Sequence, residues 1–137
     1  RRLEFAGAKA SIFQVKVDGA TETGGDRKSV GSTRMKEDFE YTTRVINDSN
    51  GAFVMLTDGI TDVMSEEERP IAFGRRRVLK LLQQTADKSP TNIVQSIMKS
   101  VDLYRGGAPF RDDLTLLAFS LNEEIPNADS QAKEDTI

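Results

Sequence analysis

The sequence predicts an α+β fold in which antiparallel β-sheets pack with helices. Three observations point there. Apolar, β-prone runs crowd the stretch from Leu3 to Thr57. Two segments with helical spacing of apolar residues follow, between Arg75 and Arg105. A last apolar run, Leu114 to Leu121, returns to strand character. The chain has 137 residues, enough for one modest domain and not two.

Leu3 to Ala8 and Ala10 to Val17 read as strands, with Ile12, Val15 and Val17 supplying β-branched residues around Phe13. Gly7 interrupts them and marks a bulge or a close backbone approach. Asp18 to Ser32 is rich in Gly, Thr, Asp and Ser and reads as a loop. From Asp38 to Ile46, Phe39, Tyr41, Thr43 and Val45 share one parity, the pattern of a half-buried strand. Asn47 to Gly51 reads as a hairpin turn, with Gly51 where φ > 0 is needed. Ala52 to Thr57 is nearly all apolar and belongs in the middle of a sheet.

After Asp58 the chain turns helical or irregular, and Pro70 to Gly74 is a second break. Arg75 to Asp87 reads as a helix with Val78, Leu79, Leu81 and Leu82 inward. Ser89 is an N-cap with Pro90 at the first helical position. The following helix places Ile93, Val94, Ile97, Met98, Val101 and Tyr104 on its core side, and Gly106-Gly107 ends it. Residues 122–137 form a polar, acidic tail without periodicity, expected to be disordered.

Composition excludes much. The net charge of -3 leaves no basic footprint for nucleic acid. No apolar run approaches the roughly 20 residues of a membrane span, and the opening Arg1-Arg2 before a strand-like segment carries no expectation of a signal peptide. A cytoplasmic location is the expectation. With no cysteine there is no disulfide, thiolate catalysis or Cys-ligated zinc. With no histidine there is no Ser-His-Asp triad and no imidazole ligand. Carboxylate oxygen remains, and it suits Mg²⁺, Mn²⁺ or Ca²⁺.

Two acidic clusters supply such oxygen. Leu56-Thr57-Asp58-Gly59-Ile60-Thr61-Asp62 follows one apolar strand, and Arg111-Asp112-Asp113 precedes another. Burying an ionised carboxylate costs several kcal/mol unless something compensates for it. If the two strands pair antiparallel, both acidic ends meet at one sheet edge. A divalent cation would then offset their repulsion. Each cluster alone has a plainer reading: Asp58-Gly59 as a turn, Asp112-Asp113 as a solvated loop or a pair with Arg111. Asp62 follows Asp58 by one helical turn, beside a ligand or as a surface charge. Arg111 offers a contact for an anionic group. Gly24 to Gly31 does not match a phosphate loop, having no following helix to lend its N-terminus, and reads as a loop beside a site. Arg75-Arg76-Arg77 reads as a solvated helix face, with docking of an acidic partner as the lesser reading.

Together these motifs resemble the metal-dependent protein phosphatase superfamily, in its bacterial sporulation stage II E-type branch. The resemblance covers residues 1–121. It rests on Leu3-Glu4-Phe5-Ala6-Gly7-Ala8, Gly25-Asp26 through Val30-Gly31, Leu56 to Asp62, Ala72-Phe73-Gly74, and Arg111 to Leu116, matching in order and spacing. It implies an α-β-β-α sandwich. It implies a protein serine/threonine phosphatase acting on a phosphorylated regulatory protein of the anti-anti-sigma type. Asp58 and Asp112 would be metal ligands with Asp113 the adjacent candidate, and Gly59 would keep the turn open. Asp62 and Arg111 would support that site. Mn²⁺ or Mg²⁺ would be bound, two ions about 4 Å apart in an intact domain, activating a water that attacks phosphorus.

The family's bridging Asp-Gly and nearby Gly-His are missing upstream of Leu3, and Ala6-Gly7-Ala8 stands where Ala-Gly-His is usual. The expectation is therefore the C-terminal part of an incomplete domain, with little turnover on its own and a tendency to pair as a homodimer. A non-catalytic signalling scaffold that keeps the fold is the rival expectation.

Overall fold

The computed structural model describes residues 2–31 and 39–121. Among these residues the elements run in order: β1 (Leu3–Phe5), β2 (Ser11–Lys16), β3 (Gly19–Gly24), β4 (Arg44–Ile46), β5 (Ala52–Leu56), α1 (Asp58–Thr61), α2 (Gly74–Gln84), α3 (Pro90–Arg105) and β6 (Leu116–Ser120). Four strands form an antiparallel sheet in the order β3-β2-β5-β6. β1 and β4 pair antiparallel in a separate two-stranded sheet.

The period-2 alternation of strands sorts side chains onto two faces. On one face Phe13, Val15, Ala52 and Val54 meet Val78 and Leu82 of α2 and Ile93, Ile97 and Val101 of α3. On the other, Ile12 and Phe53 pack with Phe5, and Leu3, Ile46, Met55 and Phe119 border them. Phe53 stacks on Phe119 with ring centroids 5.5 Å apart. The layers among the described residues are thus helices, the four-stranded sheet, and the short sheet. This is the expected sandwich with a single helical layer, as befits part of a domain.

Several boundaries differ from the sequence reading. The loop expected from Asp18 onward contains β3, paired along β2 from Ser11↔Gly24 to Lys16↔Gly19. β3 is an edge strand, so its alternate Thr and Glu side chains need no burial, and it shows no apolar signal. Ser32 lies outside the described residues, as does Asp38. The strand expected from Asp38 shortens to Arg44–Ile46.

Asn47–Gly51 is not a hairpin turn, because β4 and β5 belong to different sheets. It carries the chain from one sheet to the other. The buried Gln14 holds it there, Nε2 donating to the carbonyls of Asp48 (2.7 Å) and Asn50 (2.9 Å). Gly51 does adopt positive φ (84°), and a Cβ there would lie 2.2 Å from the Val15 carbonyl oxygen.

α2 ends at Gln84 rather than Asp87, since Lys88 Nζ reaches back to the Leu82 (2.7 Å) and Gln83 (3.1 Å) carbonyls. α3 starts as read. Ser89 Oγ accepts from Asn92 N, Pro90 is the first helical residue, and Gly106 ends the helix at φ 55°. Ile93, Ile97 and Val101 are buried, while Met98 is exposed. β6 begins at Leu116, not Leu114. The tail expected to be disordered, 122–137, lies outside the described residues. No helix among the described residues is long and apolar enough to cross a membrane.

Candidate metal centre

The β5–β6 ladder decides where the acidic clusters sit. Leu56 pairs with Leu116 at its end. One step further, Thr57 N donates to the Thr115 carbonyl (3.0 Å) and Thr115 N donates to Thr57 Oγ1 (3.1 Å). The Thr57 hydroxyl therefore does not cap α1 but ties the two strand ends together. α1 starts directly after it with Asp58, while Asp112 and Asp113 lie just before the partner strand. The two clusters meet at one edge of the sheet.

Gly59 shows how closely they meet. A Cβ on Gly59 would fall 2.1 Å from the Asp113 carbonyl oxygen. Its φ is not positive. Gly59 is therefore required by close approach of the backbone, not by the sharp turn that the sequence suggested. Ile60, fully buried behind it, anchors the short α1 to the core.

Asp58 is exposed and opens onto a pocket of about 140 Å³ lined by Lys9, Ala10, Ser11, Phe13, Leu56, Thr61 and Arg75. Its backbone carbonyl accepts from Thr61 Oγ1 (3.1 Å) and from Asp62 N (2.7 Å), closing the turn. Asp62 is exposed at the end of that turn. Asp112 and Asp113 are exposed, and Asp112 Oδ1 already accepts from Asp113 N at 2.7 Å. Arg111 is exposed and makes no ion pair among the described residues.

The donor set fits a hard divalent cation in kind, being all oxygen. It falls short in number. Among the described residues no group of three or more Asp, Glu, His or Cys could hold a metal ion. The described residues bring the two acidic segments together but not a complete ligand cage.

Sequence reasoning missed two basic residues of this pocket, Lys9 and Arg75. Lys9 follows Ala8, which pairs in an isolated bridge with Asp26. Arg75 reaches from the start of α2 to Ser11 Oγ (3.0 Å) and to the Glu22 carboxylate. Arg77 lies over the Tyr104 ring at 4.8 Å and donates to the Phe73 carbonyl, so the arginine run is only partly a solvated face. Asp26 is itself fixed. Its carboxylate accepts from Thr42 N (2.7 Å), Thr42 Oγ1 and Arg44. The Thr42 backbone N–H, with Arg44 adding to it, holds its carboxyl below the ordinary 3.8.

The stage II sporulation protein E (SpoIIE) family model matches residues 13–122. The chain belongs to the SpoIIE family. No curated protein sequence matches this SpoIIE-family chain. Among solved structures, it is similar to the SiaA-PP2C domain of Pseudomonas aeruginosa, at 27% identity and TM-score 0.73, covering 89% of this chain and 47% of that one. It also shares the fold of the manganese-presoaked phosphatase domain of the cell fate determinant SpoIIE from Bacillus subtilis. The identity there is 15%, the TM-score 0.60, and the match covers 91% of this chain and 52% of that one. The SpoIIE-family chain thus carries a PP2C-type phosphatase fold and spans about half the length of these relatives.

Proposed function

We propose that this chain forms part of the catalytic domain of a metal-dependent protein serine/threonine phosphatase, acting on a phosphorylated regulatory protein. The β5–β6 ladder carries the reading, because it sets Asp58 and Asp112-Asp113 at one sheet edge in a chain of this family. Asp58 and Asp112 are the ligands this chain contributes, with Asp113 beside them, and further ligands come from outside the described residues. A bound Mn²⁺ or Mg²⁺ supplies a Lewis acid and a water of lowered pKa.

The chain's own residues position that chemistry. The Thr57–Thr115 exchange keeps the two acidic segments in register. Gly59 lets the Asp113 backbone approach. In this reading Asp62, exposed one turn after Asp58, and Arg111, exposed next to Asp112, would steady ligands or meet an anionic substrate. A phosphoprotein of the anti-anti-sigma type is the substrate class in keeping with the family.

A second reading has one observation behind it: the described residues hold no group of three carboxylates that could bind a metal ion. It makes the chain a signalling scaffold that binds partners without catalysis. Calorimetric titration of Mn²⁺ separates the two. The phosphatase reading expects weak heats for the 137-residue chain that vanish in Asp58→Ala and in Asp112→Ala, with little hydrolysis of para-nitrophenyl phosphate by the chain alone. Heats that are the same in parent and both variants would favour the scaffold.

A further inference from the structure

The pocket beside Asp58 does not end there. A neighbouring groove of about 430 Å³ shares Lys9, Ala10, Ser11 and Arg75 with it and continues over Gly24, Gly25, Asp26 and Arg27. Lys9, on the shared wall, has φ 56° and is the only non-glycine residue with positive φ among the described residues. That conformation costs a lysine about 1–2 kcal/mol. It persists because neighbouring backbone over-determines it.

The restraint is a clamp between two loops. Lys9 N donates to the Asp26 carbonyl (2.7 Å), Asp26 N to the Gly7 carbonyl (2.7 Å), and Gly25 N to the Ala10 carbonyl (2.8 Å). A Cβ on Gly25 would sit 2.3 Å from the Gly7 carbonyl oxygen, so the clamp closes only with glycine there. It fixes Lys9 and Arg27 along one groove.

The charges along this groove are unequally used. Glu22 is taken by Arg75, and Asp26 by Arg44 and Thr42. Lys9 and Arg27 make no ion pair among the described residues. Among the described residues, the unspent charge leading away from Asp58 along this groove is therefore positive, on a chain whose net charge is -3.

We propose that the groove from Lys9 to Arg27 binds an acidic segment of the protein substrate, next to the phosphorylated residue that faces Asp58. Lys9 and Arg27 are then specificity determinants, and the assignment of the phosphorylated residue to Asp58 rests on the phosphatase reading above. Exposed cations steer and select an acidic partner through complementary charge more than through raw affinity.

The test is fluorescence anisotropy with labelled phosphoserine peptides and the 137-residue chain, at low salt and without metal. One peptide is flanked by aspartates, one by glutamines. The acidic peptide binds more tightly, and the preference fades as salt rises. Reversing both charges, Lys9→Glu with Arg27→Glu, weakens the acidic peptide roughly tenfold and the glutamine peptide, whose phosphate alone meets Lys9, by less, so the preference is lost. Lys9→Gly is the control for folding, since glycine suits φ 56°. It keeps the unfolding midpoint or raises it, yet weakens the acidic peptide about threefold. Equal affinity for the two peptides, or a folded Lys9→Gly chain that keeps the preference, overturns the proposal. Asp58→Asn distinguishes this from the function above. If it abolishes Mn²⁺ heats while no peptide preference exists, the groove falls and the metal reading stands. If the preference survives in a chain that shows no Mn²⁺ heat at all, the reverse holds.

Discussion

Gly59 sits in a helical turn, where alanine is ordinarily worth about 1 kcal/mol more than glycine. In open space Gly59→Ala would therefore stabilise the chain. The Asp113 carbonyl oxygen, 2.1 Å from where the Cβ would be, reverses that sign. The neighbour is backbone, fixed by the adjoining ladder, and it cannot swing aside as a long side chain would. Overpacking of this kind costs about 1–3 kcal/mol, enough to exceed the gain in helix propensity. The expected outcome for Gly59→Ala is a net loss of up to about 2 kcal/mol, read from urea unfolding midpoints. The same displacement pushes the segment carrying Asp112 away from Asp58, so any Mn²⁺ heat should weaken with it. An unchanged or raised midpoint would mean that the two acidic segments are not in contact.

At the scale of elements, the start of α3 joins what a sequence shows to what it hides. Ser89 and Pro90 announce the helix by residue type alone. Asp87 does not, because it lies before the cap. Its carboxylate accepts from Ser89 N (2.8 Å) and from Asn92 Nδ2, tying the α2–α3 connection to the helix it precedes. The Ser89 backbone N–H first, and its neighbours after it, hold the Asp87 carboxyl below the ordinary 3.8. A depressed carboxyl pKa stabilises the fold above its unfolded value, and the contribution is lost as pH falls through the folded value. The stability gap between the parent chain and Asp87→Ala should hold steady from neutral pH down to the ordinary carboxylate range and narrow below it. Urea melts across that range would show it, and a gap indifferent to acid would count against the contact. The same contrast explains the rest. β5, α3 and β6 were legible because burial on one or both faces writes an apolar pattern. β3 was not, since its edge position leaves Thr21, Glu22 and Thr23 acceptable. The passage from β4 to β5 looked like a hairpin because local turn chemistry is the same whichever sheet the next strand joins. Partners distant in sequence decide it: β4 pairs with β1, β5 with β2, and Gln14 holds the connection between them. The meeting of the Asp58 and Asp112-Asp113 segments at one sheet edge was readable from their flanking strands. Lys9 and Arg75 reach the pocket through a loop clamp and a helix start, which no local pattern encodes.

For the molecule as a whole, the two faces of the four-stranded sheet are unequally covered. α2 and α3 seal one, while two strands of three residues each lie over the other. That cover runs out along the ladder. Phe53 and Phe119 stack beneath it, but the next pair on the same face, Met55↔Leu117, leaves Leu117 53% exposed. Burying one leucine yields only about 2 kcal/mol, well short of the roughly 8 kcal/mol of a micromolar complex. The remainder has to come from backbone pairing, and the two-stranded β1–β4 sheet has an open edge on each strand among the described residues. Strand addition between two copies would engage that edge, and a second copy lying on this face would cover Leu117. The 137-residue chain is therefore expected to self-associate in the micromolar range, and Leu117→Asp to shift it toward monomer without moving the unfolding midpoint of the dilute chain. Sedimentation velocity over a concentration series measures both. A parent chain that stays monomeric throughout would show that the short sheet covers this face well enough alone.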